Sequence, residues 1–122
     1  MKGRLYLIHW HPFEAQEYAI NLRAEGWQVD VESKDGAQAG RKILSEIPDA
    51  VVIYLSRLPS HGCVTARSLR AYKEGRDLPI VFVDGKEEAI EMTKIKVPDC
   101  VFTTSDELEN VLSRVSKIGK IE

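Results

Sequence analysis

Five side chains that can bind metals or act as nucleophiles lie where apolar runs of this sequence give way to polar segments. They are His9, His11, His61, Cys63 and Asp84. Imidazole, thiolate and carboxylate groups are the ligands that zinc prefers in proteins. Two observations argue against a metal site. The His9 and His11 rings, two residues apart at a strand end, are directed to opposite sides, and the His-Gly-Cys sequence at 61–63 has no recognised metal-binding spacing. We therefore expect loop histidines, with no metal and no cofactor.

Cys63 is also the candidate nucleophile of a thiol enzyme. It lies near the start of a predicted helix, where the helix dipole lowers the pKa of a thiol, and His61 is close to it in sequence. Residues two apart in a turn need not touch, however, and no third group orients the histidine. The pattern favours a structural cysteine, with a thiol enzyme as an alternative, and it predicts that Cys100 belongs to the core.

Hydroxyl groups precede the last amphipathic stripe of the chain, at Thr103, Thr104 and Ser105. A helix N-terminus at this point could bind an anion. Thr104 followed by Glu107 also matches a capping box, and we favour that simpler interpretation. The sequence contains no glycine-rich dinucleotide fingerprint or Walker motif, and it lacks the Asp-x-His-x-x-Gly pattern of cobalamin-binding domains, so nucleotide and cobalamin chemistry have no support.

Length and composition indicate one folded domain, over residues 1–122. Apolar residues make up 43% of the chain, charged residues 30%, and the net charge is -2. This balance gives no electrostatic reason to expect nucleic acid or a membrane surface as a partner. No apolar run is long enough for a membrane span, the first residues do not resemble a signal peptide, and two cysteines make no disulfide framework. We expect a cytoplasmic location.

The apolar runs before the polar segments predict the sheet that positions them. Residues 5–8, 50–55 and 80–83 are apolar throughout, as in strands buried on both faces of a parallel sheet. Trp27–Glu32 alternates between apolar and polar residues, and 100–102 is short, so both are expected at edges. Helical stripes separate the five strands, which predicts parallel strands with right-handed crossovers. The fold class is therefore α/β, doubly wound and flavodoxin-like, with strand order 2-1-3-4-5.

The helical segments show several boundary signals. Pro12 is suited to the first turn of the first helix. The third helix is predicted from about residue 62 to 74, the fourth from 87 to 94, and the fifth from the capping box at Thr104. The loops that follow the strands then meet at the carboxyl edge of the sheet, where open α/β folds bind ligands.

Over nearly its whole length the sequence resembles the receiver domain of bacterial response regulators, of the CheY-like type. Four segments carry the resemblance, each matching one part of that family's pattern. Residues 5–12 resemble the family's first strand with its acidic cluster and proline, and residues 78–83 resemble its fourth strand. Residues 48–53, with Leu58, Pro59 and Gly62, resemble the phosphoacceptor strand and the loop after it. Residues 99–103 resemble the segment that leads to the family's lysine. The resemblance implies a magnesium-dependent phosphoaspartate switch.

The residues that would hold magnesium and accept the phosphoryl group are missing. His9 and Trp10 stand where the family has two carboxylates, and neither ring supplies the hard oxygen ligands that magnesium requires. The phosphoacceptor position falls on Tyr54 when counted from Pro48, or on Leu55 when counted back from Pro59. Neither side chain can form an acyl phosphate.

The two remaining family positions are also changed. Asp84, or Gly85 if the register slips, replaces the switch hydroxyl, and Thr103 or Thr104 replaces the lysine. Since all the substitutions fall on positions that carry the chemistry, we interpret the chain as a degenerate, phosphorylation-independent receiver-like domain.

The leading hypothesis is therefore a non-enzymatic module that signals by protein–protein contact. In receivers the fourth helix, fifth strand and fifth helix commonly form the interaction face, and the resemblance places that face at residues 87–117 here. This face would bind a protein partner or a second copy of the chain constitutively. The alternatives are a small-molecule or metal-binding flavodoxin-like domain and the thiol enzyme. The candidate ligand edge comprises His11, Ser56, His61, Cys63 and Thr104.

Overall fold

The computed structural model describes residues 2–121, with the last six of these described by their backbone alone. Strands and helices alternate along the chain, as the apolar runs predict. The strands are β1 (Gly3–Ile8), β2 (Trp27–Glu32), β3 (Ala50–Tyr54), β4 (Ile80–Val83) and β5 (Val101–Thr103). The helices are α1 (Pro12–Ala24), α2 (Gly36–Ser45), α3 (Pro59–Ala71), α4 (Glu87–Lys96) and α5 (Leu108–Ile121), with a short 3-10 turn at Lys73–Gly75.

The five strands form one parallel sheet in the order β2-β1-β3-β4-β5. The predicted fold class and strand order are therefore confirmed. The strands β1, β3 and β4 are central because their apolar side chains need cover on both faces. In β2 the exposed side chains of Gln28 and Asp30 alternate with the buried side chains of Trp27 and Val29, which matches the predicted edge.

Successive strand residues face two separate layers of core. Leu7, Val52 and Tyr54 pack on the side of α1 and α5. Ile8 and Ile53 pack on the opposite side, against apolar residues of α2 and α3. Because side chains alternate along a strand, neighbouring residues at a strand end are directed into different layers.

Two helix starts differ from the sequence prediction. The helix α3 begins at Pro59, three residues earlier than predicted, because Leu58 adopts a left-handed backbone conformation (φ 44°) and turns the chain directly into a proline-led first turn. The helix α5 begins at Leu108, so the predicted capping box at Thr104 does not start a helix. Instead, the carbonyl of Thr104 accepts a hydrogen bond from the backbone N–H of Glu107 in the preceding turn.

Arg70 connects the amino-terminal ends of β4 and β5 to the end of α3. Its guanidinium donates hydrogen bonds to the carbonyl oxygens of Gly75 (2.6 Å), Leu78 (2.7 Å) and Asp99 (2.9 Å). These carbonyl groups belong to the 3-10 turn and to the loops before β4 and β5, and such groups need partners when they are removed from water. The arginine therefore fixes the amino edge of the sheet, opposite the candidate site.

Candidate functional site

His9 is fully buried where β1 ends at the carboxyl edge of the sheet. Its Nε2 atom lies 2.9 Å from Oε1 of Glu14, in the first turn of α1. Burial lowers the pKa of His9, and the hydrogen bond to Glu14 offsets only part of that effect. A neutral ring that donates from Nε2 leaves Nδ1 as an acceptor, and this atom has no hydrogen-bond partner among the described residues.

Glu14 joins His9 to Arg57, which follows β3 in the chain. A guanidinium nitrogen of Arg57 lies 2.7 Å from Oε2 of Glu14. Hydrogen bonding from Arg57 lowers the pKa of Glu14 to about 2, so this carboxyl group stays ionised. His11 caps the same helix, since its Nδ1 accepts a hydrogen bond from the backbone N–H of Glu14 at 3.2 Å. The loops after β1 and β3 are therefore connected by charged hydrogen bonds.

Aromatic rings fill the space beneath this network. The rings of Tyr54 and Tyr18 stack with their centroids 4.3 Å apart, and the His9 ring lies 5.0 Å from that of Tyr54. Burial raises the pKa of the Tyr54 hydroxyl, which keeps it neutral. Leu55, the other candidate phosphoacceptor position, is buried on the opposite side of the sheet. Both candidate positions are thus packed rather than open.

The carboxylates near this edge do not fit a magnesium ion. Glu14 is already bonded by His9 and Arg57. Asp84, in a left-handed conformation after β4 (φ 58°), accepts hydrogen bonds from the backbone N–H (3.0 Å) and the hydroxyl of Ser105. Magnesium needs several free oxygen ligands in octahedral array. Across the described part of the chain, no three His, Cys, Asp or Glu residues are grouped to hold a metal ion.

The residues of the predicted ligand edge do not converge on one point. His11 caps α1, while Ser56 and Thr104 are exposed in their loops. The ring of His61 lies 5.6 Å from that of Trp10. Cys63 is buried in the core beneath α3, and within residues 2–115 no hydrogen bond connects it to His61. Thr103 contributes a carbonyl oxygen, which accepts from the backbone N–H of Asp84.

Glu14, Arg57 and Tyr18 are part of the site but were not singled out from the sequence. The only local signal for Glu14 is its position in the first turn of α1, three residues after His11. Arg57 is separated from Glu14 by 43 positions. Nothing in the sequence pairs these two charges before the fold brings the loops together.

The surface formed by α4 and β5 carries both charges and exposed apolar side chains. Glu88 and Glu91 are exposed, as predicted. Met92 is 50% exposed, Ile95 86% and Val101 37%, which makes this surface more apolar than the sequence pattern suggested. The predicted face extends to Lys117, whose side chain lies outside the described residues.

Comparison with solved structures identifies the fold. The chain superposes on the receiver domain of a sensor histidine kinase from Pseudomonas aeruginosa PAO1 with a TM-score of 0.80 and 24% identity, covering 94% of this chain and 98% of that one. That structure has a magnesium ion coordinated in its active-site cleft. The signal receiver domain of a histidine kinase from Syntrophus aciditrophicus gives a TM-score of 0.77 with 17% identity, over 94% and 90% of the two chains.

The chemotaxis protein CheY4 from Vibrio cholerae gives a TM-score of 0.76 with 16% identity, over 92% and 97% of the two chains. No protein-family model matches the sequence, and no curated protein is significantly similar to it. At these identities the comparisons establish a CheY-like receiver fold. Within residues 2–121, no helix is both long and apolar enough to cross a membrane.

Proposed function

We propose that this chain is a receiver-like signalling domain that works by protein contact and is not phosphorylated. The observation that carries the proposal is the bonded and packed state of the carboxyl edge around His9, Glu14 and Arg57. A phosphoaspartate switch needs a carboxylate nucleophile and free oxygen ligands for magnesium. Here Tyr54 and Leu55 occupy the candidate acceptor positions, both of them buried.

The internal charges reinforce this interpretation. In the proposed domain, Arg57 pairs with the carboxylate of Glu14, and Glu14 in turn bonds Nε2 of His9, so these groups are already engaged with one another. Opening the edge to a metal would leave His9 without its partner in a fully buried position. The domain would be non-enzymatic and cytoplasmic, with residues 1–122 forming one unit.

The test is chemical phosphorylation. The protein is incubated with acetyl phosphate and magnesium, and its intact mass is measured with and without hydroxylamine. We expect no phosphorylated species. Leu55→Asp alone should also remain unmodified, because magnesium would still lack its acidic pair at His9 and Trp10. A hydroxylamine-labile phosphoryl group on the unaltered chain would refute the proposal.

We further propose that the contact surface lies within residues 87–117. Exposed apolar side chains at Met92, Ile95 and Val101 are surrounded by the charges of Glu88 and Glu91. Apolar centres with charged rims are typical of reversible protein interfaces. The strand β5 is also an edge, whose outer backbone groups are open to pairing. Without a phosphorylation step, the contact would be constitutive.

Two matched substitutions distinguish this surface from another face. Ile95→Glu places a charge on α4, and Ile20→Glu places one on α1, where the isoleucine is 60% exposed. We expect two variants to weaken the contact: Ile95→Glu, and the double variant with Glu88→Lys and Glu91→Lys. Light scattering measures the loss of self-association, and a pull-down measures the loss of a bound partner. If Ile20→Glu or Glu17→Lys abolishes association and the α4 variants do not, the contact lies on α1.

A further inference from the structure

A cavity of about 350 Å³ opens between the amino-terminal ends of α2 and α3, on the opposite side of the sheet from His9 and Glu14. Its volume falls within the range of small-molecule sites. Trp10, His61 and Val64 form much of its apolar wall, and Lys34 stands at the rim. Trp10 is the one residue that the described cavity lining shares with the predicted acidic-pair position, since His9 lies on the other side of the sheet.

The wall around Trp10 is shaped by two glycines. A Cβ atom added at Gly36 would lie 2.7 Å from Oγ1 of Thr65 and 3.4 Å from the indole, and one added at Gly62 would lie 2.7 Å from Cγ2 of Ile53. The contacts at 2.7 Å are shorter than van der Waals distance, so a side chain at either position would require its neighbours to shift. The absence of a Cβ at Gly36 thus lets α2 approach Trp10 closely, and the indole forms an aromatic wall of the cavity.

The wall of the cavity leaves apolar surface in contact with water. Val64 is 64% exposed although it lies in the cavity wall. Exposed apolar surface carries a free-energy penalty, which the ring of a planar ligand can relieve. The indole Nε1 of Trp10 has no acceptor among the described residues, but the atom is itself buried, so it serves as a nearby reporter of binding and does not contact the ligand.

The charges around the cavity determine the sign of the ligand. Lys34 is the lining residue with a permanent charge, and no carboxylate is among the described lining residues. The two nearest acids in sequence lie outside the lining: Glu32 accepts from the backbone N–H groups of Lys34 and Asp35, and Asp35 accepts from that of Gln38. Both carboxylates keep their charge, but their oxygens are directed to the backbone of the turn before α2. The lining itself therefore presents donors and a cation, which suits an anion.

We propose that this cavity binds a small aromatic carboxylate, with its ring against Trp10 and Val64 and its carboxylate paired with Lys34. The ring would cover the exposed apolar wall. The exposed hydroxyl groups of Ser60 and Ser68 lie along the same wall, about two turns apart on α3, so that one of them can donate to the carboxylate. Binding at this place needs neither magnesium nor phosphorylation. It is therefore independent of the function proposed above.

The experiment uses the two indole N–H signals of the ¹⁵N-labelled protein. Benzoate is titrated as the probe, and benzamide serves as its uncharged counterpart. We expect a saturable shift of the Trp10 signal with benzoate and a weaker response with benzamide. The Trp27 signal is the internal control, because its Nε1 donates to Glu109 at 3.1 Å far from the cavity, and it should not move.

Three variants test whether Lys34 supplies the charge that binds benzoate and whether benzoate binds in this cavity. Lys34→Gln should weaken benzoate binding by about two- to five-fold, as for a solvent-exposed ion pair, and leave benzamide unchanged. Lys42→Gln, an exposed lysine of the same region outside the cavity, should have no effect. Ala37→Phe, which fills the cavity from an exposed position, should abolish both responses. Absence of a saturable Trp10 shift, or equal binding of both probes unaffected by Lys34→Gln, would overturn the proposal.

Discussion

Two neighbouring residues at the end of β1 enter very different environments. His9 points into the α1 side of the sheet, where Glu14, Arg57 and two tyrosines surround it with bonds and packed rings. Trp10 lies on the other side, beside a cavity between α2 and α3. Alternation along a strand separates adjacent side chains into opposite layers. Two adjacent residues therefore belong to two different regions, His9 to a closed one and Trp10 to an open one.

The closed region should be sensitive to removal of its buried rings. Tyr54→Ala deletes a buried ring that stacks on Tyr18, and we expect the free energy of unfolding to fall by about 3–5 kcal/mol. Urea denaturation monitored by circular dichroism measures the change. Tyr72→Ala is the control, because that tyrosine is 53% exposed and should change stability little. Equal losses in the two variants would contradict a packed α1 side.

Glycine substitutions probe how closely α3 packs against the sheet on the side of the cavity. In Gly62→Ala the new Cβ would meet Cγ2 of buried Ile53 at 2.7 Å, so we expect a net loss of about 1–2 kcal/mol after the gain in helix propensity. Gly40→Ala is the matched control in α2, where no described atom lies within 4 Å of the new methyl group. It should stabilise the protein by about 0.5–1 kcal/mol. Urea titrations measure both variants, and we expect the free energy of unfolding to fall in Gly62→Ala and to rise in Gly40→Ala.

The pH dependence of stability tests the charged network. The folded pKa values of His9 and Glu14 both lie below their ordinary values of 6.5 and 4.5. The unfolded chain therefore binds protons more readily, and stability is present above those values and lost as pH falls. The Glu14 contribution should disappear between about pH 4.5 and 2.

Glu14→Gln should therefore flatten the loss of stability over that acidic interval, measured as urea midpoints against pH. Arg57→Ala should reduce the same loss of stability, because without its strongest partner the folded pKa of Glu14 lies closer to the unfolded value. Glu17→Gln, an exposed acid of the same helix, should leave the profile unchanged. A Glu14→Gln profile that superposes on the original would mean that the network does not form in solution.

The smallest effect is expected at the open cavity. Val64→Ala removes an exposed side chain, so the free energy of unfolding should change by no more than about 0.5 kcal/mol. Thermal and urea denaturation give the value. A loss above about 1 kcal/mol would show that Val64 is packed in solution. The α2 and α3 side of the sheet would then be closed as well, like the side that holds His9.

Most of the fold was predictable because the relevant signals are local. Uninterrupted apolar runs predicted the central strands, and the alternation in Trp27–Glu32 predicted an edge. The helix boundaries were less accurate where the chain makes a tertiary contact. The capping box at Thr104 did not start α5, and the neighbouring Ser105 instead donates to Asp84, which follows a different strand.

The sequence alone determined the order of elements, the parallel sheet and the fact that His9 and Trp10, neither of them a carboxylate, follow the first strand. These properties follow from residue type and short-range periodicity. The tertiary structure alone decided that Glu14 meets Arg57, 43 positions away, that Tyr18 stacks on Tyr54, and that Trp10 borders a cavity. Contacts of this kind depend on which loops and helices the fold brings together, and no local pattern encodes that distance.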